Sequence, residues 1–354
     1  MMKNNCSNGL KNSESHRLLA IDFSRAFAII LVVIGHWSLG GWEPRWWSVS
    51  VDVIYTFHMP LFMAMSGYLY IFGRNRKTAS YFDFLLGKVR RLMIPYIATS
   101  IIIISIKSVS QLLGAYVENP VTLKTYIEIL YSPSAGYFLW FIWALWWMFV
   151  LVPFFKTRNS RTILFIASVI FSLIPIELPE LFCLWQTKQM LPYFMTGVIL
   201  CDWKDYLSLK NTAVRILSTL LFVGFEVLYV LGFYGVDLIV PYIAIIAILA
   251  ITSYMENHIE RRVSKALLYV SSASYIIYLF HTTFEGFVKS IIIKSGVVMN
   301  DWIFLACAIV GVIVGVWMPL LLYRFVLGRW KVTSFLFGLK LVENQRRKED
   351  RENN

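Results

Sequence analysis

The chain has 354 residues, of which 58% are hydrophobic, 16% aromatic and only 15% charged, against about 45–50% apolar and about 25% charged in an average soluble domain. With a mean hydropathy of +0.63 it lacks the polar residues that a soluble domain turns to water, and composition also excludes disorder, collagen, coiled coil and disulfide scaffolds. The net charge of +12 gathers at the ends of apolar runs, not on the continuous basic face of a nucleic-acid binder; an integral membrane protein with no nucleic-acid partner remains.

A spanning helix needs about 20 mostly apolar residues. Spans on that measure fall near 20–40, 51–72, 92–113, 137–155, 162–178, 187–201, 213–232, 238–255, 267–289 and 302–326. The sequence thus predicts an all-α, polytopic transmembrane helix bundle of about ten helices. The sixth span is the weakest, short and holding Pro192 and Gly197. Residues 1–19 read as a polar N-terminal segment, 20–342 as the transmembrane domain and 343–354 as a charged tail too polar to pack. No small-residue cleavage site follows the first apolar run and Arg25 interrupts it, which speaks against a signal peptide. Of the 33 Lys and Arg residues, 26 fall on the side of the N-terminus, six on the other, and Arg25 within the first span. Positive-inside orientation then places both termini in the cytoplasm.

Ionisable side chains at membrane depth are costly and point to function. In the first span, eleven steps of about 100° bring Arg25 and His36 onto one stripe, about 16 Å apart along the axis. Arg25 taken alone would also suit snorkelling, and His36 an interhelical hydrogen bond. The second span carries His58, about two turns from the outer end, near Pro60, whose ring leaves a backbone carbonyl without its helical donor. Ser66 and Gly67 favour close helix contact. The ninth span carries His281 and Glu285 as an i, i+4 pair. Three of the five histidines thus come to one expected depth on separate helices, which favours a proton-transfer or binding site.

On the cytoplasmic side, Lys88-Val-Arg90-Arg91-Leu-Met-Ile-Pro95-Tyr96 puts guanidinium groups where the third span begins. Charge anchoring explains such residues, and so does bidentate phosphate binding. Cys6, Cys183, Cys201 and Cys307 are scattered, with no disulfide or zinc spacing, and read as small apolar residues. Neither a phosphate-binding glycine loop nor a metal motif is present.

Taken in order, these pieces resemble the acyltransferase-3 family of multi-span membrane acyltransferases, which includes bacterial O-acetylases of surface polysaccharides. Arg25 and His36 fit its Arg-x10-His signature, and Phe57-His-Met-Pro-Leu-Phe62 with Ser66-Gly67 its second-helix pattern. Arg90-Arg91-Leu-Met-Ile-Pro95-Tyr96 is similar to its arginine-rich Pro-x-Tyr element. Trp140-Phe141 with Leu145 resembles its fourth-helix pattern, and Ser274-Tyr275-Ile-Ile-Tyr278-Leu-Phe-His281 its late Tyr–His element.

The resemblance implies an enzyme of the cell (inner) membrane that moves an acyl group, acetyl by expectation, from acyl-coenzyme A to a hydroxyl of a surface or lipid-linked carbohydrate. Its partners are then acyl-CoA as co-substrate, the carbohydrate acceptor and membrane lipids, with no bound metal and no permanent cofactor. Arg25, Arg90 and Arg91 would hold the donor phosphates. His36 would be the general base, with His58 and His281 as its catalytic companions. Asp52, Trp140 and Glu285 are candidates for substrate contacts. A secondary transporter or exporter of a glycan or small metabolite would also have about ten spans and buried ionisable residues such as Glu226. That reading would be favoured by inverted repeats and broken helices, which are not evident in the sequence. A scaffold or sensor would leave its ionisable residues scattered in depth.

Overall fold

The computed structural model describes residues 3–74, 80–204, 209–233 and 235–339, with backbone alone for 3–18 and 74. The tail at 343–354 lies outside the described residues. Among those described, the regular structure is all helical, with no strand. The helices are α1 (Lys3–His36), α2 (Arg45–Arg74), α3 (Tyr81–Lys88), α4 (Ile94–Leu112), α5 (Thr125–Glu128), α6 (Trp140–Leu151) and α7 (Arg158–Leu173). They continue with α8 (Leu184–Asp202), α9 (Thr212–Val230), α10 (Val240–His258), α11 (Arg261–Ser295), α12 (Asp301–Leu322) and α13 (Lys331–Leu336).

Helix is the form that lets these apolar runs satisfy their backbone without water. Their ends carry the expected signals. Asn211 accepts from the Ala213 amide and Asn300 from the Ile303 amide, while Thr157 and Ser160 form a reciprocal capping box. Pro95 and Pro241 stand in the first turns of α4 and α10, where a missing amide costs nothing. A π-helical turn, Val89–Met93, joins α3 to α4.

Among the described residues, eight helical stretches are long and apolar enough to cross a membrane. The chain is therefore a multi-pass membrane protein. The two remaining expected spans are helices as well, but α7 has only 16 residues and α8, with 19, mixes Gln186, Thr187, Lys188 and Gln189 into its first turns. At 1.5 Å per residue, 16 residues reach about 24 Å against a hydrocarbon core of about 30 Å.

The chain divides into two compact units, with α1, α8 and α11 giving residues to both. The first holds the described parts of Met1–Gly35, Arg45–Arg76 and Tyr193–Ser274. In it α10 packs on α2 and α9, and the second half of α8 lies directly on α2. A Cβ at Gly67 would collide with the Phe194 carbonyl oxygen, and one at Gly197 with that of Ala64. Ser66-Gly67 thus marks a backbone-to-backbone contact. Ser24 and Thr252 hydroxyls bond at 3.0 Å, and the Ala20 amide donates to Glu256 Oε1 at 2.8 Å.

The second unit holds His36–Pro44, the described parts of Lys77–Pro192, and those of Tyr275–Asn354. In it α3 packs on α6, α5 on α4, and α13 on α4. The Tyr96 hydroxyl lies 2.8 Å from the Ile129 carbonyl and 2.9 Å from that of Ser132, tying α4 to the turn after α5. Lys88 places its ammonium 3.4 Å from the Phe149 ring centre.

Candidate functional site

The second unit brings His36 and His281 together. His36 is the last residue of α1, and its ring centre lies 5.1 Å from that of His281, in the middle of α11. Phe138, on the turn before α6, meets both rings edge-on, at 6.1 Å from His36 and 5.4 Å from His281. Tyr278 backs Phe138 at 5.7 Å and donates its hydroxyl to the Phe138 carbonyl at 2.5 Å, which fixes the turn against α11.

His281 is fully buried. Its Nδ1 faces the carbonyls of Ile277 and Tyr278 at 3.0 and 2.9 Å. Carbonyl oxygens only accept, so Nδ1 carries the hydrogen and the neutral ring keeps its lone pair on Nε2. That nitrogen has no hydrogen-bond partner among the described residues. One turn further along α11, Glu285 is also fully buried, and neither of its oxygens has a hydrogen-bond partner among them.

Lys289 completes the stripe of His281 and Glu285. Its ammonium donates to the His36 carbonyl at 3.2 Å and to Ser38 Oγ at 3.3 Å, and stands 3.8 Å from Glu118. A cation there satisfies a carbonyl that the end of α1 leaves without a helical donor, and it complements the helix dipole. The next residue, Trp37, is buried with its indole over Gly311 of α12, where any Cβ would strike the ring. Beyond it, Glu43 accepts from the amides of Leu39 at 2.5 Å and Gly41 at 2.9 Å. His36 is thus clamped from both sides of the chain reversal.

Arg90 and Arg91 lie exposed on the π-helical turn of the same unit, where Gly338 approaches to within 3.2 Å of the Arg91 Cα when a Cβ is placed on it. Trp140, half-buried at the start of α6, meets Phe141 at 6.2 Å. Cys183, also in this unit, is buried. Burial, with Glu180 nearby, pushes its thiol up to about 12, so it stays protonated and is no nucleophile at neutral pH.

The other predicted residues belong to the first unit. Arg25 donates to Asp22 at 3.4 Å and to Ser274 at 3.0 Å, and Ser271 in turn donates to Asp22 at 2.9 Å. The arginine is therefore a bridge between α1 and α11, balanced by a carboxylate. His58 is buried, bonds the Ile54 carbonyl through Nδ1 at 2.8 Å and stacks on Tyr55 at 5.1 Å. Asp52 is exposed on α2.

Sequence reasoning passed over Asp22, Phe138 and Lys289. Asp22 stands three residues before Arg25, a helical pairing distance, and Lys289 eight residues after His281 on the same stripe. Those two spacings were available signals. Phe138 gave none, being one of 26 phenylalanines.

Fold and site together define a multi-pass, all-helical membrane protein with a half-buried imidazole, His36, against a fully buried one, His281, beside a capped helix end. Residues 18–324 match the model of the acyltransferase-3 family, an acyltransferase domain, and the chain belongs to that family. It is also similar to Nodulation protein NolL of Sinorhizobium fredii (strain NBRC 101917 / NGR234), 29% identical over 226 residues, or 62% of this chain and 57% of the relative. The like-named protein of Mesorhizobium japonicum is 31% identical over 170 residues, 47% of this chain and 42% of its own. The chain spans about half the length of these curated relatives. No solved structure matches it.

Proposed function

We propose that this protein transfers an acyl group, acetyl in the simplest case, from acyl-CoA to a hydroxyl of a surface or lipid-linked carbohydrate, in the cell (inner) membrane with both termini cytoplasmic. The observation that carries this reading is the His36–His281 pair, 5.1 Å between ring centres, with the His281 lone pair left on Nε2. In this scheme His36 accepts the proton of the acceptor hydroxyl as its oxygen attacks the thioester carbonyl. The carbon–sulfur bond then breaks, and the imidazolium returns the proton to the departing thiolate. His281 Nε2 accepts a hydrogen bond from the His36 imidazolium and lowers the free energy of that charged state. Lys289, bonded to the carbonyl of His36, positions the base. Arg25, Arg90 and Arg91 supply guanidinium forks for the donor phosphates, and in Arg25 the phosphate would share the group with Asp22.

The test is transfer of label from [acetyl]-CoA to envelope glycan in membranes with and without the protein, and with His36→Gln. Glutamine keeps a hydrogen-bonding group but takes up no proton at neutral pH. Removing a general base costs about 10²–10⁴-fold. His36→Gln should lose at least a hundredfold in rate while donor binding survives, and near-normal transfer would exclude His36 as the base.

A further inference from the structure

The first unit carries a second feature that acyl transfer does not use. Between α2 and α9 lies a groove of about 440 Å³, within the range of ligand-sized pockets. Its floor is the edge-to-face pair Phe57 and Phe222, 5.1 Å between ring centres. Its wall on α9 is formed by Val223, Val227 and Val230, each more than half exposed. On a membrane-crossing helix these side chains meet lipid chains. One wall residue breaks the pattern. Glu226 is buried to 8% exposure, its Oε1 accepts from Thr56 at 2.7 Å, and its Oε2 has no hydrogen-bond partner among the described residues.

A carboxyl group lining an apolar, lipid-facing groove selects among lipids by the donor each brings. Glu226 stands four residues from the end of α9, about 6 Å along the axis. It therefore lies nearer the end of the span than its middle, on the side from which a headgroup and its linkage reach inward. A choline headgroup has no N–H to offer. A glycerol headgroup offers hydroxyls but carries a net negative charge that a carboxylate repels. A primary ammonium offers three N–H donors and the opposite charge. We propose that the α2–α9 groove is a binding site for phosphatidylethanolamine, one hydrocarbon chain lying over Phe57 and Phe222 and the ammonium donating to Glu226. This goes beyond the acyl-transfer reading and does not depend on it.

The experiment is native mass spectrometry of the purified full chain in mild detergent. It is titrated with palmitoyl-oleoyl phosphatidylethanolamine and, separately, with palmitoyl-oleoyl phosphatidylcholine, which share charge and acyl chains and differ in the ammonium, three N–H donors against three N-methyl groups. The ethanolamine lipid should bind at least about tenfold more tightly, the worth of one charge-assisted hydrogen bond. Glu226→Met should bring it to the choline level. Thr56 also donates to the Val53 carbonyl at 2.7 Å and so keeps an acceptor in that variant. Should Glu226→Met not stay monodisperse, Glu226→Gln must reduce the same preference, because a neutral amide oxygen accepts the ammonium N–H more weakly than a carboxylate does. Val227→Trp, a change on an exposed wall, should weaken both lipids. Equal binding of the two lipids by the unaltered protein, or a preference that survives loss of the Glu226 charge, overturns the proposal. So does full affinity in Val227→Trp.

Discussion

Alanine at Gly67 or Gly197 should destabilise the protein more than one methyl group ordinarily would. A Cβ at Gly67 would stand 2.9 Å from the Phe194 carbonyl carbon and 3.2 Å from the Val198 nitrogen; one at Gly197 would stand 2.6 Å from the Ala64 carbonyl carbon. Comfortable carbon contacts run about 3.5–4.0 Å, so the helices must part by about 1 Å. The obstacle in both cases is helical backbone, which has no rotamer to give. Overpacking of this kind costs about 1–3 kcal/mol, and the rigid neighbour puts these sites at the upper end. At about 2–4 °C per kcal/mol, a loss of 2–3 kcal/mol lowers Tm by about 4–12 °C. Thermal unfolding of the detergent-purified protein, followed by size-exclusion fluorescence, reads this directly. Gly224 supplies the control, since it lies exposed on α9 with nothing within 4 Å of a Cβ. Alanine there removes only the backbone entropy of glycine, worth about 0.5–1 kcal/mol in favour of the helix. Gly67→Ala melting with the unaltered protein, or Gly224→Ala losing as much as Gly67→Ala, would refute the reasoning. Because both collisions press the same pair of helices apart, the double variant should lose less than the sum.

Lys289→Met should lower kcat by about ten- to a hundredfold, as a displaced base does, with donor KM unchanged, and Lys289→Arg should recover most of it. A normal kcat would remove Lys289 from the positioning of His36. Arg25→Lys keeps the charge beside Asp22 but loses the fork that also reaches Ser274, so donor KM should rise about tenfold with little change in kcat; unchanged KM would make Arg25 a purely structural bridge. Cys183 should resist maleimide at pH 8 in the folded protein and react after unfolding. Its thiol is raised from the ordinary 9.0 to about 12, so its contribution to stability is whole below pH 9 and declines as the pH climbs toward 12. Modification at the folded-state rate of an exposed thiol would contradict that burial.

The helices were legible because apolar runs of spanning length have few other uses, and the histidines and Arg25 stood out because charge is rare in such runs. The weakest expected span, the sixth, short and holding Pro192 and Gly197, is one of two whose helices fall outside the eight stretches fit to cross a membrane; the fifth, α7 with 16 residues, gave no such signal. What spacing along one helix can convey was readable, such as His281 with Glu285. What needs two distant segments was not: 245 positions separate His36 from His281, and no local pattern announces their contact. Lys289 is one of the six cations that charge counting assigns to the outer side, and that count asks only which side a cation is on. The structure shows it turned inward, to the carbonyl of His36. The glycine contacts between α2 and α8 were half visible, since Gly67 suggested a close neighbour without saying which.

The place of His36 at the very end of α1 bears on how such a protein diverges. A histidine within a helix is aimed by a ladder of backbone bonds that also holds the span in place, so re-aiming it disturbs the whole element. At the last position the carbonyl answers to Lys289 instead, and the backbone beyond it to Glu43, with Gly40 and Gly41 at φ of 67° and 101°. Substitutions in the turn from Ser38 to Gly41 can therefore rotate the imidazole by small steps while every membrane helix keeps its register. In the proposed reaction this makes the turn a tuning point, through which one scaffold would come to serve acceptors of different shape.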